Sequence, residues 1–254
     1  MVNVIFTIMW KAIKKVLCFL WAVWGSFWFM AIIAIPTPVY ALILAIFGKK
    51  YSLKLVWINF SILAPLANAV MGIRIKVFGK ENVDWTRSYV IVANHRAQID
   101  ITTGAASCPQ PARFLAKWEI RKIPIFGYMT RMLAIMVDRK SKESREKSYR
   151  YMIETLKKGE SLMIYPEGTR NRTDQPLKEF KDGAFKVAIL AQVPVAVQTL
   201  VNTRELNDPR SIHLCPGTVT VYWGKPIETK GMTMEDMPRL KEMVRQEMLK
   251  HLAN

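Results

Sequence analysis

His95 and Asp100 lie five positions apart in Asn94-His95-Arg96-Ala97-Gln98-Ile99-Asp100. An imidazole accepts a proton near neutral pH, and a carboxylate can fix its tautomer and stabilise its cation. Five residues of continuous helix turn about 500°, which leaves two side chains roughly 140° apart in projection. The two groups can meet only if His95 sits on a turn and Asp100 opens the next helix. The apolar run Tyr89–Ala93 before them reads as a buried strand, so a strand-to-helix turn is expected here. Such a turn also exposes backbone N–H groups that suit an anion.

A second chemical stretch is Tyr165-Pro166-Glu167-Gly168-Thr169-Arg170, again at the end of an apolar run, Leu162–Tyr165. Gly168 allows close backbone approach, and the Arg170 guanidinium is a fork suited to phosphate. Glu167 can order the turn or contact an acceptor hydroxyl. Further cations that can meet an anion are Lys117, Arg139 after Asp138, and Lys181. Taken singly, most lysines and arginines only solvate a surface.

The elements that must hold these residues alternate. Strands are expected at Ile73–Val77, Tyr89–Ala93, Leu133–Val137, Leu162–Tyr165, Val193–Val201 and Val219–Trp223. Helices are expected at Ser144–Lys158, Gly183–Gln192 and Met234–Leu252, each with apolar residues on one face. The fold class is therefore α/β, a mixed sheet flanked by helices. In open sheets of this kind ligands gather beyond the carboxyl ends of strands, where both chemical stretches fall.

Ahead of this layer the chain is apolar. No residue from Val16 to Phe47 is charged, lysines flank the run on both sides, and Trp21, Trp24, Phe27 and Trp28 are aromatics of the interfacial sort. Val16–Ile35 is long enough to cross a bilayer core before Pro36 and Pro38 interrupt any helix. A span and a re-entrant or in-plane anchor both fit; a cleaved signal peptide does not, since no small-residue cleavage site follows. The second uncharged run, Leu55–Ile73, contains Asn59, Pro65 and Asn68 and reads as too polar and broken to span. The expected division is a helical membrane-anchoring segment over 1–72 and an α/β domain over 73–254.

With 37 Lys+Arg against 20 Asp+Glu the 254-residue chain carries +17, which points to an anionic partner. Combined with a slightly positive mean hydropathy, that charge suits a lipid surface better than nucleic acid. The cysteines Cys18, Cys108 and Cys215 are far apart, and neither a disulfide framework nor a zinc site is expected. Cys108 carries no feature that marks a nucleophile, no G-x-S-x-G elbow is present, and the three histidines lack metal-ligand spacing. No cofactor or metal is expected.

In this order the blocks resemble the glycerolipid acyltransferase family, and within it the bacterial enzymes that acylate 1-acyl-glycerol 3-phosphate. Asn94 to Asp100 resembles the NHx4D motif, Asp138-Arg139 ends a short strand as in that family, Tyr165 to Arg170 resembles FPEGTR with Tyr for Phe, and Val193 to Val197 resembles VPIVPV without its second proline. Arg96-Ala97 stand where the family often has Gln-Ser, a departure that bears on the acceptor more than on the reaction.

The resemblance implies that an acyl group passes from an acyl thioester, acyl-ACP or acyl-CoA, to the sn-2 hydroxyl of lysophosphatidic acid. His95 would be the general base, Asp100 its orienter, and Arg170 and Lys117 the holders of the acceptor phosphate, with Arg139, Glu167, Gly168 and Thr169 lining the same site. The oxyanion would meet backbone N–H groups near Gly168 or at the helix start beyond Asp100. It further implies a location among the phospholipids of a bacterial inner membrane, with the catalytic domain on the cytoplasmic face. Glycerol 3-phosphate or another lysolipid as acceptor, and a non-enzymatic lipid-binding protein, are the alternatives.

Overall fold

A computed structural model describes residues 2–48, 51–138 and 141–252. Seven strands form one sheet in the order β1-β7-β6-β2-β5-β3-β4. They are β1 Ile73–Phe78, β2 Val90–Ala93, β3 Ala112–Lys117, β4 Ile135–Val137, β5 Ser161–Ile164, β6 Val195–Val201 and β7 Gly217–Trp223. Every pair is parallel except β6 with β7, so β1 and β7 run opposite to the other five.

The central strands are buried on both faces, and alternate residues serve the two layers. Val90 and Val92 of β2 face α7 (Lys142–Lys157), α8 (Gly183–Ala191) and α10 (Met237–Leu252), whose Met152, Leu156, Phe185, Leu240 and Met248 complete one core. Ile91 and Ala93 face the other layer, built from α1 (Val2–Ala34), α2 (Thr37–Phe47), α3 (Ser52–Ile58), α4 (Ala64–Val70), α5 (Asp100–Ala106) and α6 (Phe126–Leu133). A single-turn helix, α9 (Thr203–Leu206), follows β6. The expected mixed sheet flanked by helices is what forms.

Pro36 and Pro38 fall where α1 gives way to α2, as expected of residues that end and restart a helix. The segment Ser52–Val70 differs from its reading as broken. It is helical throughout, with one π turn at Asn59–Leu63 just before Pro65, whose missing N–H loosens the ladder there. Its two asparagines are satisfied locally: Asn59 Nδ2 donates to the Leu55 carbonyl and Asn68 Nδ2 to that of Ala64, each at 2.7 Å. Ala12–Phe47 and Ser52–Val70 are both long and apolar enough to cross a membrane by length and composition, and they fit membrane association.

The expectation of unpaired cysteines is overturned. Cys18 on α1 and Cys215 ahead of β7 form a disulfide across 197 residues, with Cα atoms 4.8 Å apart. The fold makes this possible by laying α1 along the 213–215 loop, where the Leu214 N–H donates to the Cys18 carbonyl at 3.2 Å. Cys108 alone is free, and it is buried.

Candidate active site

β2 ends at Ala93 and α5 begins at Asp100, so the intervening residues form the turn that the spacing demanded. Asn94 fixes the start of this turn. Its Nδ2 donates to the Leu200 carbonyl at 2.8 Å, and its Oδ1 accepts the Leu200 N–H at 2.7 Å, tying the turn to β6. Asp100 is fully buried. Its Oδ2 lies 2.9 Å from His95 Nδ1 and accepts the backbone N–H groups of Arg96 and Ala97 at 2.6 Å each. A carboxylate oxygen already taking two N–H donors can only accept again, so Nδ1 holds the imidazole proton and Nε2 keeps its lone pair.

Tyr165 follows β5, the neighbour of β2, and lies under this ring. The His95 and Tyr165 rings stack with centroids 4.4 Å apart, and the Tyr165 hydroxyl donates to the Asp100 carbonyl at 2.9 Å. The hydroxyl that distinguishes Tyr165 from a phenylalanine therefore finds a partner in the same turn. Glu167, only 2% exposed, bridges two loops. Its Oε1 accepts the His95 backbone N–H at 2.7 Å and its Oε2 that of Lys178 at 2.9 Å. Burial pushes its pKa up, while the two backbone donors pull against that rise. The Asn171 N–H closes the arrangement by donating to the His95 carbonyl at 2.6 Å.

Gly168 takes φ +75°, a left-handed conformation that favours glycine. Its N–H donates to the Tyr165 carbonyl at 3.0 Å, so that donor is occupied within the turn. Thr169 is exposed and accepts from Lys178 Nζ at 3.0 Å. Arg170 is half-buried and has no ion pair among the described residues. Lys117 ends β3, at the same edge of the sheet as Tyr165, and its exposed Nζ lies 3.7 Å from Glu119. Lys181 is exposed, and its backbone N–H donates to the Pro166 carbonyl at 2.8 Å. Arg139 lies outside the described residues. Arg96 does not simply face water, since its Nε is buried without a partner.

Sequence reasoning missed Lys178, which anchors Glu167 through its backbone and Thr169 through its side chain, and Asn171. It also missed Asn207, whose Oδ1 accepts the Gln98 N–H of the turn between β2 and α5 at 2.9 Å. None of these carries a local signal, because each acts through a chain reversal that only the fold creates. Cys108 is no rival to His95, as burial pushes its thiol up to about 12, far from the thiolate a nucleophile needs.

Residues 74–199 match the model of the Acyltransferase family. The chain belongs to this family. It is 26% identical over 212 residues to a 1-acyl-sn-glycerol-3-phosphate acyltransferase of Saccharomyces cerevisiae, which covers 82% of this chain and 69% of that protein. It is 29% identical over 231 residues to the alpha 1-acyl-sn-glycerol-3-phosphate acyltransferase of Mus musculus, covering 89% of this chain and 76% of the relative. A crystal structure of the 1-acyl-sn-glycerophosphate acyltransferase of Thermotoga maritima superposes with a TM-score of 0.75 at 24% identity over 96% of each chain, and it shows that the fold is shared.

Proposed function

We propose that the chain transfers a fatty acyl group from an acyl thioester to the sn-2 hydroxyl of 1-acyl-glycerol 3-phosphate, giving phosphatidic acid. The observation that carries this reading is the 2.9 Å approach of Asp100 to His95 Nδ1, which leaves Nε2 as a base at the mouth of the turn. The acceptor hydroxyl oxygen attacks the thioester carbonyl carbon while Nε2 takes the hydroxyl proton. Asp100 stabilises the imidazolium that results. The tetrahedral intermediate then expels the thiolate, the C–S bond breaks, and the proton passes from Nε2 to sulfur. No covalent acyl-enzyme is needed. Arg170 and Lys117 hold the acceptor phosphate, with Arg139 as a further cation of the same site, while Glu167 and Gly168 shape the turn that carries Thr169 and Arg170.

The donor is acyl-ACP or acyl-CoA, and the setting is a bacterial inner membrane with the catalytic domain on the cytoplasmic face, where thioesters are made. Residues 1–72 serve as the anchor and 73–254 as the acyltransferase domain. The Cys18–Cys215 disulfide favours a second reading of the orientation, because such bonds persist on oxidising sides of membranes. Alkylation in intact cells separates the two: free Cys18 and Cys215 thiols support the cytoplasmic face, and full protection supports the other.

The reaction itself is tested by lipid mass spectrometry after incubating the full chain with lysophosphatidic acid, glycerol 3-phosphate or lysophosphatidylcholine and a mixture of acyl thioesters. Phosphatidic acid formed from lysophosphatidic acid is the expected product. Acylation of only another acceptor, or of none, contradicts the reading.

A further inference from the structure

Away from the His95 turn, a cleft of about 1030 Å³ opens between the apolar helices and the β3–β4 edge of the sheet. Arg113, Arg121, Arg131 and Lys158 line it, against the single carboxylate of Glu160. Arg113 is already committed: its Nε donates to Glu160 and its guanidinium also donates to Ser52 Oγ at 2.9 Å. The Glu160 charge is thereby spent inside the wall. Arg121, Arg131 and Lys158 are exposed and have no ion pair among the described residues. Both arginines lie near aromatic rings that also line the cleft, Arg121 4.0 Å from the Trp118 centroid and Arg131 6.0 Å from that of Tyr128. The other wall is apolar, with Leu44 of α2, Leu53 of α3 and Met132 of α6.

The lip of this cleft has the composition of a membrane-dipping element. Ile123 (47% exposed), Ile125 and Tyr128 project into solvent beside Arg121 and Lys122. Ile125 is held at φ +62°, a conformation that a β-branched residue adopts only under constraint. α6 packs against α1, α2 and α3, so the lip lies on the side of the molecule that carries the membrane-length helices. Basic residues interleaved with interfacial aromatics and aliphatics favour an anionic lipid surface.

We propose that this cleft binds the headgroup of an anionic bilayer phospholipid, with Arg121, Arg131 and Lys158 on its phosphate and its acyl chains along α2 and α3. This site is separate from the one that holds the acceptor. Its occupant arrives from the membrane, which explains why one wall is apolar where a site for free phosphate would be polar all round. The lip enters the headgroup layer as the lipid enters the cleft.

The test is calorimetric titration of the full-length protein, in a neutral detergent, with dioctanoyl phosphatidylglycerol, dioctanoyl phosphatidylcholine and inorganic phosphate. Phosphatidylglycerol is expected to bind about tenfold or more tightly than either of the others. The Arg121→Ala/Arg131→Ala pair should weaken it by about tenfold or more, and Lys158→Ala, on a different element, by about threefold or more. Arg131→Lys, which keeps the charge but not the planar group, should weaken binding less than Arg131→Ala. His95→Ala should bind phosphatidylglycerol as the wild type does, so loss of the proposed acyl transfer and loss of this site are read apart. Equal binding of phosphatidylcholine or of phosphate, or unchanged phosphatidylglycerol binding in the folded Lys158→Ala protein, would overturn the proposal.

Discussion

Asp100 Oδ2 meets three N–H groups at once, while its other oxygen is buried with no partner. An amide oxygen in the place of Oδ2 could still accept all three, with its NH2 where the unpartnered oxygen lies, but it carries no charge to stabilise an imidazolium. Asp100→Asn is therefore expected to lower kcat by about 10³-fold or more with the fold retained, as the protonated ring loses its counter-charge. Glu167 makes a comparable double acceptance, from His95 and Lys178, and Glu167→Gln should cost about tenfold or more in activity because one backbone N–H then faces an amide NH2. Its titration has a definite sign. Burial raises the folded-state pKa above the ordinary 4.5, so the favourable contribution of the protonated group is complete below 4.5 and is lost as pH rises through the raised value. Melting midpoints of wild type minus Glu167→Gln, followed across pH, should fall through that window and then level; a difference that stays flat contradicts the assignment.

At the scale of elements, the turn between β2 and α5 was legible because its two chemical residues could meet in no other way. The apolar run of β5 likewise placed Tyr165 to Arg170 correctly at a strand end. β3 was not legible, since Arg113 and Lys117 break its apolar pattern, and Arg113 is tolerated inside only because Glu160 and Ser52 lie beside it. The Ser52–Val70 helix was obscured in the same way by polar residues whose partners are remote: Asn68 accepts the Thr103 hydroxyl of α5 at 2.9 Å, so the residue that argued against a helix is one that docks it against α5. α6 depends on a close approach invisible in sequence. A Cβ on Gly127 would stand 2.5 Å from the Ile120 carbonyl and 2.6 Å from that of Arg121. Gly127→Ala should lower stability by about 1–3 kcal/mol, read as a drop in the melting midpoint, and no drop would show that the 118–128 lip gives way freely.

Over the whole molecule, the anchor and the α/β layer are one mechanical object. Trp21 Nε1 donates to the Met71 carbonyl at 2.9 Å, Cys18 is bonded to Cys215, and Asn207 links the His213 carbonyl to the Gln98 N–H. The disulfide was not legible because pairing across 197 residues leaves no spacing to read. Reduction with dithiothreitol should lower the stability of the wild type by about 2–4 kcal/mol and leave the Cys18→Ser/Cys215→Ser variant unmoved; equal midpoints with and without reductant in the wild type would refute the linkage. The central claim rests on one ring. Steady-state transfer to lysophosphatidic acid by His95→Ala, in protein whose circular dichroism and melting match wild type, tests it most directly. A fall in kcat of about 10²–10⁴-fold is expected from loss of a general base, and an unchanged kcat would contradict the account.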